Sequence, residues 1–155
     1  MERVRIADVD AVVDTTDIKR PLTDILNTSH LAINYYELAP GDSLAYGYHK
    51  HDDQEELFLI QSGTVTFETE NGDVRVNEGE IIRFAPGEYQ QGRNLGSTRV
   101  ELIALGAPRD AGDSEPLRHC ETCQTRTPQT IEWNEDETVR QTRCQECGNI
   151  TARFE

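Results

Sequence analysis

The chain has 155 residues, enough for one ordinary domain or for one domain with a small appendage. Acidic residues outnumber basic ones by 29 to 15, and the formal net charge of -14 disfavours a nucleic-acid phosphate backbone as partner. Apolar runs reach four residues, as at 57–60, against the roughly 20 that a bilayer-spanning helix needs. The first residues also lack the apolar segment of a secretory signal, so we expect a cytoplasmic protein that binds neither membranes nor nucleic acids.

The basic residues are unusual in kind, because only Lys19 and Lys50 are lysines and the others are arginines. Few lysines with abundant carboxylates resemble the composition of proteins from a salt-saturated cytosol, where carboxylates hydrate the surface and salt screens their repulsion. We therefore predict a halophilic protein, with an ordinary acidic protein as the alternative.

Short runs of β-forming residues, separated by Gly, Pro, Asn and Asp, fill most of the chain before residue 108. They lie at 31–38, 56–61, 64–69, 74–76, 81–84 and 100–105. The Glu-Asn-Gly-Asp sequence at 70–73 predicts a hairpin turn, and a helical period is nearly absent apart from a short turn near 21–26. The pattern predicts an antiparallel sandwich or barrel over residues 1–108, with an N-terminal extension.

His49 and His51 are two residues apart, so in an extended strand both side chains project from the same face. Two imidazoles directed at one point favour a metal site, with a solvated loop as the alternative. Glu55 and Glu56 are the nearby carboxylates. We prefer Glu56 because it shares strand parity with the apolar Phe58.

Two segments of the chain together resemble the two sequence motifs of the cupin superfamily. The first motif comprises Pro40-Gly41, His49-x-His51, Glu56 and Gly63, and the second comprises Gly79, Ala85-Pro86-Gly87, Gln90 and Asn94. The short interval between them is typical of the small bacterial and archaeal cupins. The resemblance covers roughly residues 30–106. It implies an all-β fold, the double-stranded β-helix or jelly-roll barrel, with its site inside the barrel.

The resemblance also implies the ligands of a divalent metal in the barrel, which are His49, His51, Glu56 and Gln90. Gln90 stands where the family usually has a third histidine, and its amide oxygen is a harder and weaker donor than imidazole. Some cupin enzymes, phosphomannose isomerases among them, use a glutamine ligand. Mn²⁺, Fe²⁺, Ni²⁺ and Zn²⁺ are all compatible with this set. Two smaller departures are the eight-residue interval from Gly41 to His49, where the family has six, and Ala85 in place of a proline.

Aromatic residues of the barrel are candidates for lining its pocket, although in a small barrel such residues also form plain core. They are Tyr46, Tyr48, Phe58, Phe67, Phe84 and Tyr89. Arg83 interrupts the apolar run at 81–84. An inward Arg83 would pair with a substrate carboxylate, and an outward one would be an exposed strand charge. Beyond the metal ligands, we identify no catalytic acid or base.

A polar, apolar-poor segment at 109–118, which includes Asp113, is interpreted as a linker. Residues 119–155 then contain all four cysteines, as Cys120-x2-Cys123 and Cys144-x2-Cys147 with 20 residues between the pairs. In an intracellular chain this spacing predicts a tetrahedral Zn²⁺ site, with disulfides as the alternative.

The β-like runs at 130–133, 137–142 and 149–154 make this second part resemble a zinc ribbon. A segment of about 40 residues has too little core to fold alone, so the metal is expected to stabilise it. Three consecutive acidic residues at 135–137 argue against DNA binding, and we expect a module for protein contacts or homodimerisation. His119 is interpreted as a surface residue.

Two function classes remain open from the sequence. The first is a metal-dependent oxygenase or isomerase that acts on a small polar or carboxylated metabolite. The second is a non-catalytic small-ligand-binding or regulatory cupin whose ribbon contacts a partner. The fold itself does not decide between them, because one fold supports many chemistries.

Overall fold

Residues 1–112 and 114–154 are described by a computed structural model, so Asp113 of the predicted linker and Glu155 of the predicted ribbon lie outside the described residues. Within these ranges the chain forms twelve β-strands and one three-residue 3-10 helix, Ile6–Asp8. None of the helical structure in the described part is long and apolar enough to cross a membrane.

Two antiparallel sheets form the first part of the chain. The five-stranded sheet has the spatial order β1 (Ile18–Pro21), β2 (Ala32–Leu38), β8 (Val100–Ala107), β3 (Glu55–Ser62) and β6 (Ile81–Phe84). The three-stranded sheet has the order β5 (Gly72–Asn77), β4 (Thr64–Thr69) and β7 (Gln90–Arg93). Strands distant in sequence therefore lie side by side, as in a jelly roll.

The core of this part lies between the two sheets. It forms because buried and partly exposed side chains alternate strictly along the strands. On β8, Val100, Leu102 and Ala104 are buried and their neighbours are only partly so. Phe58 on β3 packs against Phe67 on β4 with ring centroids 5.1 Å apart, so the contact joins the two sheets. The predicted all-β, double-stranded β-helix barrel is confirmed.

The predicted β-runs all correspond to strands, but in the first part of the chain two polar strands were missed. β1 is only four residues long and ends at Pro21, and β7 is rich in glutamine. On β7 the polar Gln90 and Gln91 are buried on opposite faces of the strand: Gln90 faces the interior of the barrel, and Gln91 lies beside Leu117 of the second part of the chain. Neither strand carries the apolar alternation that identifies a strand in a sequence.

The N-terminal extension covers the outer face of the five-stranded sheet. Val9 and Leu22 pack there against Tyr35, and Ile33 borders the same cluster. On β2 the odd-numbered residues therefore face this outer cluster, so the even-numbered Asn34 and Tyr36 face the barrel interior. This assignment determines which side chains line the interior cavity.

Gly63 joins β3 to β4 in a conformation that only glycine adopts easily. Its φ is +82°, and a Cβ there would lie 2.9 Å from a side-chain carbon of Val100. The first-motif glycine is thus required both by backbone conformation and by close packing.

The four cysteines lie in a separate small sheet with the order β12 (Ile150–Phe154), β11 (Arg140–Cys144), β10 (Thr125–Trp133) and β9 (Leu117–Cys120). β9 begins at Leu117, inside the segment interpreted as a linker. The predicted run at 137–142 begins too early, because Glu137 has a φ of +55° in the turn between β10 and β11. The acidic residues 135–137 do lie in that turn.

Candidate functional site

The segments that carry the predicted barrel ligands meet at one end of the barrel interior. His49 lies before β3 and forms a two-way backbone bridge with Gln90, the first residue of β7, at N–O distances of 3.1 and 2.8 Å. Glu56 is the second residue of β3. Backbone pairing therefore places residues from three distant segments side by side.

The side chains of these residues converge. Glu56 Oε2 lies 3.5 Å from His51 Nε2 and 3.9 Å from His49 Nε2. Gln90 Nε2 donates to the same oxygen at 2.9 Å and lies 3.4 Å from His49 Nε2. The histidine and glutamate donors all lie within 4.8 Å of one another. Ligands bound about 2.1 Å from one ion are separated by about 3 to 4 Å, so these donors fit a single divalent cation.

The backbone fixes the ring of His49 so that one of its nitrogen atoms faces the cluster. Its Nδ1 lies 3.0 Å from the carbonyl oxygen of Gly47, which can only accept a hydrogen bond, so Nδ1 carries the proton. The lone pair of Nε2 is then free and faces Glu56 and Gln90. Burial lowers the pKa of His49 to about 4, and burial likewise lowers the pKa of His51. Both imidazoles are therefore neutral at pH 7, as metal ligands must be.

Glu56 and Gln90 also have oxygen atoms that are available to bind a cation. Burial raises the pKa of Glu56 to about 7, although hydrogen bonding from Gln90 and the charge of Lys19 oppose the shift. A divalent cation would stabilise the ionised carboxylate. Gln90 is 2% exposed, and its Oε1 has no hydrogen-bond partner among the described residues. Because the two ends of an amide are interchanged by a half-turn, this unpartnered oxygen fits the role of a fourth ligand.

A cavity of about 260 Å³ opens onto these four residues. Small residues on β8, Ala104 and Gly106, leave the space, and Phe58 and Tyr46 line it. The volume is at the small end of ligand cavities, so it suits a small metabolite.

The other predicted pocket aromatics lie elsewhere. Phe67 and Phe84 belong to the core cluster, and Tyr48 stacks on Tyr89 with ring centroids 5.1 Å apart. None of these four lines the cavity beside the histidines. Of the two roles that the sequence left open, plain core therefore applies to Phe67 and Phe84, whereas Tyr48 and Tyr89 stack on each other outside the cavity.

The outer face of β3 carries Glu55, the carboxylate that competed with Glu56. Its Oε2 lies 2.5 Å from Nε of Arg83, whose side chain is 54% exposed. Arg83 therefore points outward, and its charge is paired on the barrel surface.

Sequence reasoning missed a polar wall of the same cavity, formed by Lys19, Tyr36 and Asp14. Lys19 pairs with Tyr36 across β1 and β2, and its Nζ lies 2.5 Å from Asp14 Oδ2 and 5.5 Å from the centre of the Tyr36 ring. Strand parity could have identified Tyr36, because Tyr36 is two residues from the buried Leu38 and so lies on the same face of β2. β1 itself was not predicted, so Lys19 had no assigned face.

The four cysteines of the second sheet form a compact cluster. Cys120 Sγ lies 3.5 Å from Cys147 Sγ, and Cys123 Sγ lies 3.8 Å from Cys144 Sγ. All four sulfur atoms lie within 4.8 Å of one another. Thiolates 2.3 Å from a tetrahedral zinc are about 3.8 Å apart, so the cluster fits Zn²⁺. The cysteines are free thiols, and the two cysteine knuckles support the resemblance to a zinc ribbon.

The ribbon packs onto the open end of the barrel. Backbone hydrogen bonds of 3.0 and 2.8 Å join Tyr48 to Leu117, and Arg126 pairs with Glu68 at 2.8 Å while its guanidinium lies over the ring of Tyr48. Ile131 of β10 lines the cavity together with Pro116. The two parts of the chain thus share one cavity wall.

Comparisons with known proteins agree with this geometry. Residues 34–106 match the family model described as "Cupin domain". The chain is 32% identical over 69 residues to an "Oxalate-binding protein" of Thermotoga maritima, a match that covers 44% of this chain and 55% of that protein. The chain thus spans about half the length of this curated relative.

Solved structures show the same fold at low identity. A predicted oxalate decarboxylase from Thermotoga maritima superposes with a TM-score of 0.60 and 22% identity, over 68% of this chain and 98% of that one. A sugar phosphate isomerase of the cupin superfamily from Silicibacter pomeroyi gives a TM-score of 0.60 and 15% identity, over 96% and 91% of the two chains. With the motifs, the barrel and the family match in agreement, residues 34–106 are a cupin domain, followed in this chain by a four-cysteine ribbon.

Proposed function

We propose that this chain is a metal-dependent cupin that binds a small carboxylated metabolite in its barrel. The observation that carries the proposal is the convergence of two neutral imidazoles and one buried carboxylate, His49, His51 and Glu56, at the end of a small cavity. The metal would be a divalent transition metal such as Mn²⁺, Fe²⁺, Ni²⁺ or Zn²⁺, with Gln90 as fourth ligand. The names of the oxalate-binding relative and of the predicted oxalate decarboxylase favour a carboxylated ligand.

Each residue of the site has a definable task in this proposal. A bound cation would supply a Lewis acid for ligand oxygen atoms. The carbonyl of Gly47 fixes the orientation of the His49 ring. Without metal the Gln90 amide holds Glu56, and the half-turn that would bring its oxygen to a cation would exchange this hydrogen bond for a metal contact. Pro116 and Ile131 narrow the access of water to the ligand from the ribbon side. Charge inside such a cavity interacts more strongly than it would in bulk water.

Whether the chain is an enzyme or a non-catalytic binder depends on whether a side chain in the cavity can exchange a proton with the bound ligand. In the metal-loaded site Glu56 would be held ionised as a ligand, so the phenol of Tyr36 is the cavity group that could exchange a proton with a bound molecule. Together with a Lewis-acidic cation it supports an oxygenase or an isomerase. The non-catalytic small-ligand binder is the alternative, and it makes the same demands on the metal site.

Ligand binding to metal-loaded protein tests the proposal. Protein stripped of barrel metal with a chelator and reloaded with Mn²⁺ should bind oxalate in a calorimetric titration, and the stripped protein should not. His51→Ala should remove oxalate binding. Arg83→Gln, which removes a charge on the outer face of the barrel, should not. The proposal fails if Mn²⁺-loaded protein binds no oxalate, or if His51→Ala binds it as the original does.

The second part of the chain is proposed to be a zinc module. We infer a division into a barrel at 1–108, a linker at 109–118 and a ribbon at 119–155, with zinc bound by Cys120, Cys123, Cys144 and Cys147. A homodimer, and a protein partner on the ribbon, stay predictions that light scattering coupled to size-exclusion chromatography can check. A monomer at all concentrations would contradict the dimer.

A further inference from the structure

Lys19 faces the cavity from the wall beside the metal ligands. It is one of two lysines in a chain with 15 basic residues, yet its side chain is only 26% exposed and lines the cavity. Burial alone would lower its pKa, but the oxygens of Tyr36 and Asp14 together raise it above its ordinary value. Lys19 is therefore a cation at any physiological pH.

The ammonium of Lys19 and the metal ligands face the same cavity. Lys19 on β1 and Glu56 on β3 both line it, with β2 and β8 between their strands. The small Ala104 lies between the two walls, because on β8 Leu102 pairs with Tyr36 and Gly106 pairs with Glu56, one on each side of Ala104. A ligand can occupy this gap and contact both walls.

The cavity is electrostatically distinct from the rest of the molecule. The formal net charge of the chain is -14, whereas among the described residues the charged side chains that line the cavity are two acids, Asp14 and Glu56, and two bases, Lys19 and Arg109. With neutral histidines their charges cancel. A divalent cation at the histidines then gives the cavity an excess of positive charge, which favours a ligand with more than one negative group.

We propose that Lys19 and Tyr36 form an anion subsite that binds a carboxylate of a ligand whose other carboxylate is bound at the metal site. Lys19 has three N–H donors, of which one bonds Asp14 and a second is directed at the Tyr36 oxygen, so one remains for a ligand, and Tyr36 can donate its own hydroxyl proton. The subsite rests on the proposed function and deepens it, because it assigns the substrate class: dicarboxylates longer than oxalate, whose carboxylates can contact both walls. Oxalate is too short, and both of its carboxylates would bind at the metal.

A buried ion pair with a purely structural role is the competing explanation for Lys19 and Asp14. The test must therefore remove the cation without leaving a buried unpaired carboxylate, which would be strongly destabilising. Lys19→Met combined with Asp14→Asn removes both charges, and the new amide keeps an oxygen for the backbone N–H of Thr15, which Asp14 accepts at 2.6 Å. Tyr36→Phe is the second variant. Lys50→Met, whose lysine pairs with the exposed Asp52, is the matched control.

The experiment compares calorimetric affinities of Mn²⁺-loaded proteins for succinate, for butyrate of the same length, and for oxalate. The original protein should bind succinate at least about tenfold more tightly than butyrate, as expected for a charge-assisted hydrogen bond. In the double variant this ratio should fall to near one while oxalate binding changes less than about twofold. Tyr36→Phe should reduce the ratio in part, and Lys50→Met should leave it unchanged.

Three results would overturn the subsite, and they are distinguishable. An unchanged succinate-to-butyrate ratio in both the double variant and Tyr36→Phe means that the ion pair is structural. A ratio near one in the original protein, with oxalate still bound, removes the subsite but leaves the proposed function intact. Failure of the Mn²⁺-loaded original protein to bind oxalate or succinate removes both.

Discussion

The ribbon and the barrel form their candidate metal sites in different ways. The ribbon uses cysteine pairs that are close in sequence, and the barrel uses residues from distant segments of the chain. In the ribbon, two short knuckles bring four thiols within 4.8 Å, and the other side chains that this sheet buries are polar, such as Gln129 and Thr142. In the barrel, His49, Glu56 and Gln90 come from distant segments that are held together by a core of phenylalanine, leucine and valine. The ribbon site therefore needs its metal to fold, whereas the barrel site is shaped by the fold before any metal binds.

The largest expected effect is the loss of a ribbon thiol. Cys144→Ser should release the zinc and unfold the ribbon, because apparent binding energies of about 10 to 16 kcal/mol for structural zinc exceed the stability of so small a sheet. Elemental analysis and amide hydrogen exchange would measure this, with fast exchange expected in β10 to β12 and protection retained in β3 and β8.

Glu146→Gln, a change at an exposed residue in the same knuckle, is the control and should keep the zinc. Full amide protection of the ribbon in Cys144→Ser would contradict the contrast between the two regions.

The next effect is a pH dependence confined to the barrel. Burial raises the pKa of Glu56 to about 7 in the folded chain, so below pH 7 a binding cation must displace a proton. Mn²⁺ affinity should therefore fall about tenfold per pH unit below 7 and level off above it. His49 does not add to this slope near pH 6, because burial lowers its pKa to about 4, and burial shifts the pKa of His51 in the same direction.

Calorimetry in buffers of different ionisation enthalpy would count the released proton. A Mn²⁺ affinity that does not change between pH 5.5 and 7 would show that Glu56 does not bind the metal.

Proton binding changes the stability of the metal-free barrel in two opposing directions. The raised pKa of Glu56 contributes stability below pH 4.5 that is lost as the pH rises through 7. The lowered pKa of His49 contributes stability above pH 6.5 that is lost as the pH falls through 4. The two contributions oppose each other between these values, so stability should change little across that interval.

Gln90→His should have a smaller effect, and only in the barrel. Imidazole binds late transition metals more strongly than an amide oxygen does, so Ni²⁺ or Zn²⁺ affinity should rise about tenfold, while Mn²⁺ affinity changes less. Competition with a fluorescent chelator would measure the ratio. A weaker Ni²⁺ site in Gln90→His would mean that residue 90 does not contact the metal, because the added imidazole would then only crowd a buried position.

The smallest effect concerns salt and does not distinguish the two regions. With a net charge of -14, carboxylate repulsion should lower the melting temperature in dilute buffer, and molar KCl should raise it by screening. A melting temperature that is the same in dilute buffer and in molar KCl would contradict the halophilic prediction and leave the metal sites untouched.

The sequence predicted the strands and sites that depend on a local residue pattern. It missed the residues whose position depends on how strands pair. Alternation identified β2, β3, β4 and β8, and the cysteine spacing identified the ribbon. Lys19 was missed because its position in the cavity depends on the register between β1 and β2, and Ile18–Pro21 has no apolar period. Gln90 was identified by motif spacing alone, since a buried glutamine strand looks like a loop in composition.

Metal stoichiometry of His49→Ala tests the central claim most directly. After loading with a single equivalent of Zn²⁺, which the four thiolates bind first, then with excess Mn²⁺, and after gel filtration, elemental analysis of the original protein should give one zinc and one manganese per chain. His49→Ala should keep the zinc, lose the manganese and retain its β-sheet circular dichroism, because the barrel core does not include His49. Equal manganese in the two proteins would contradict the account, since it would place the ion away from His49, His51, Glu56 and Gln90.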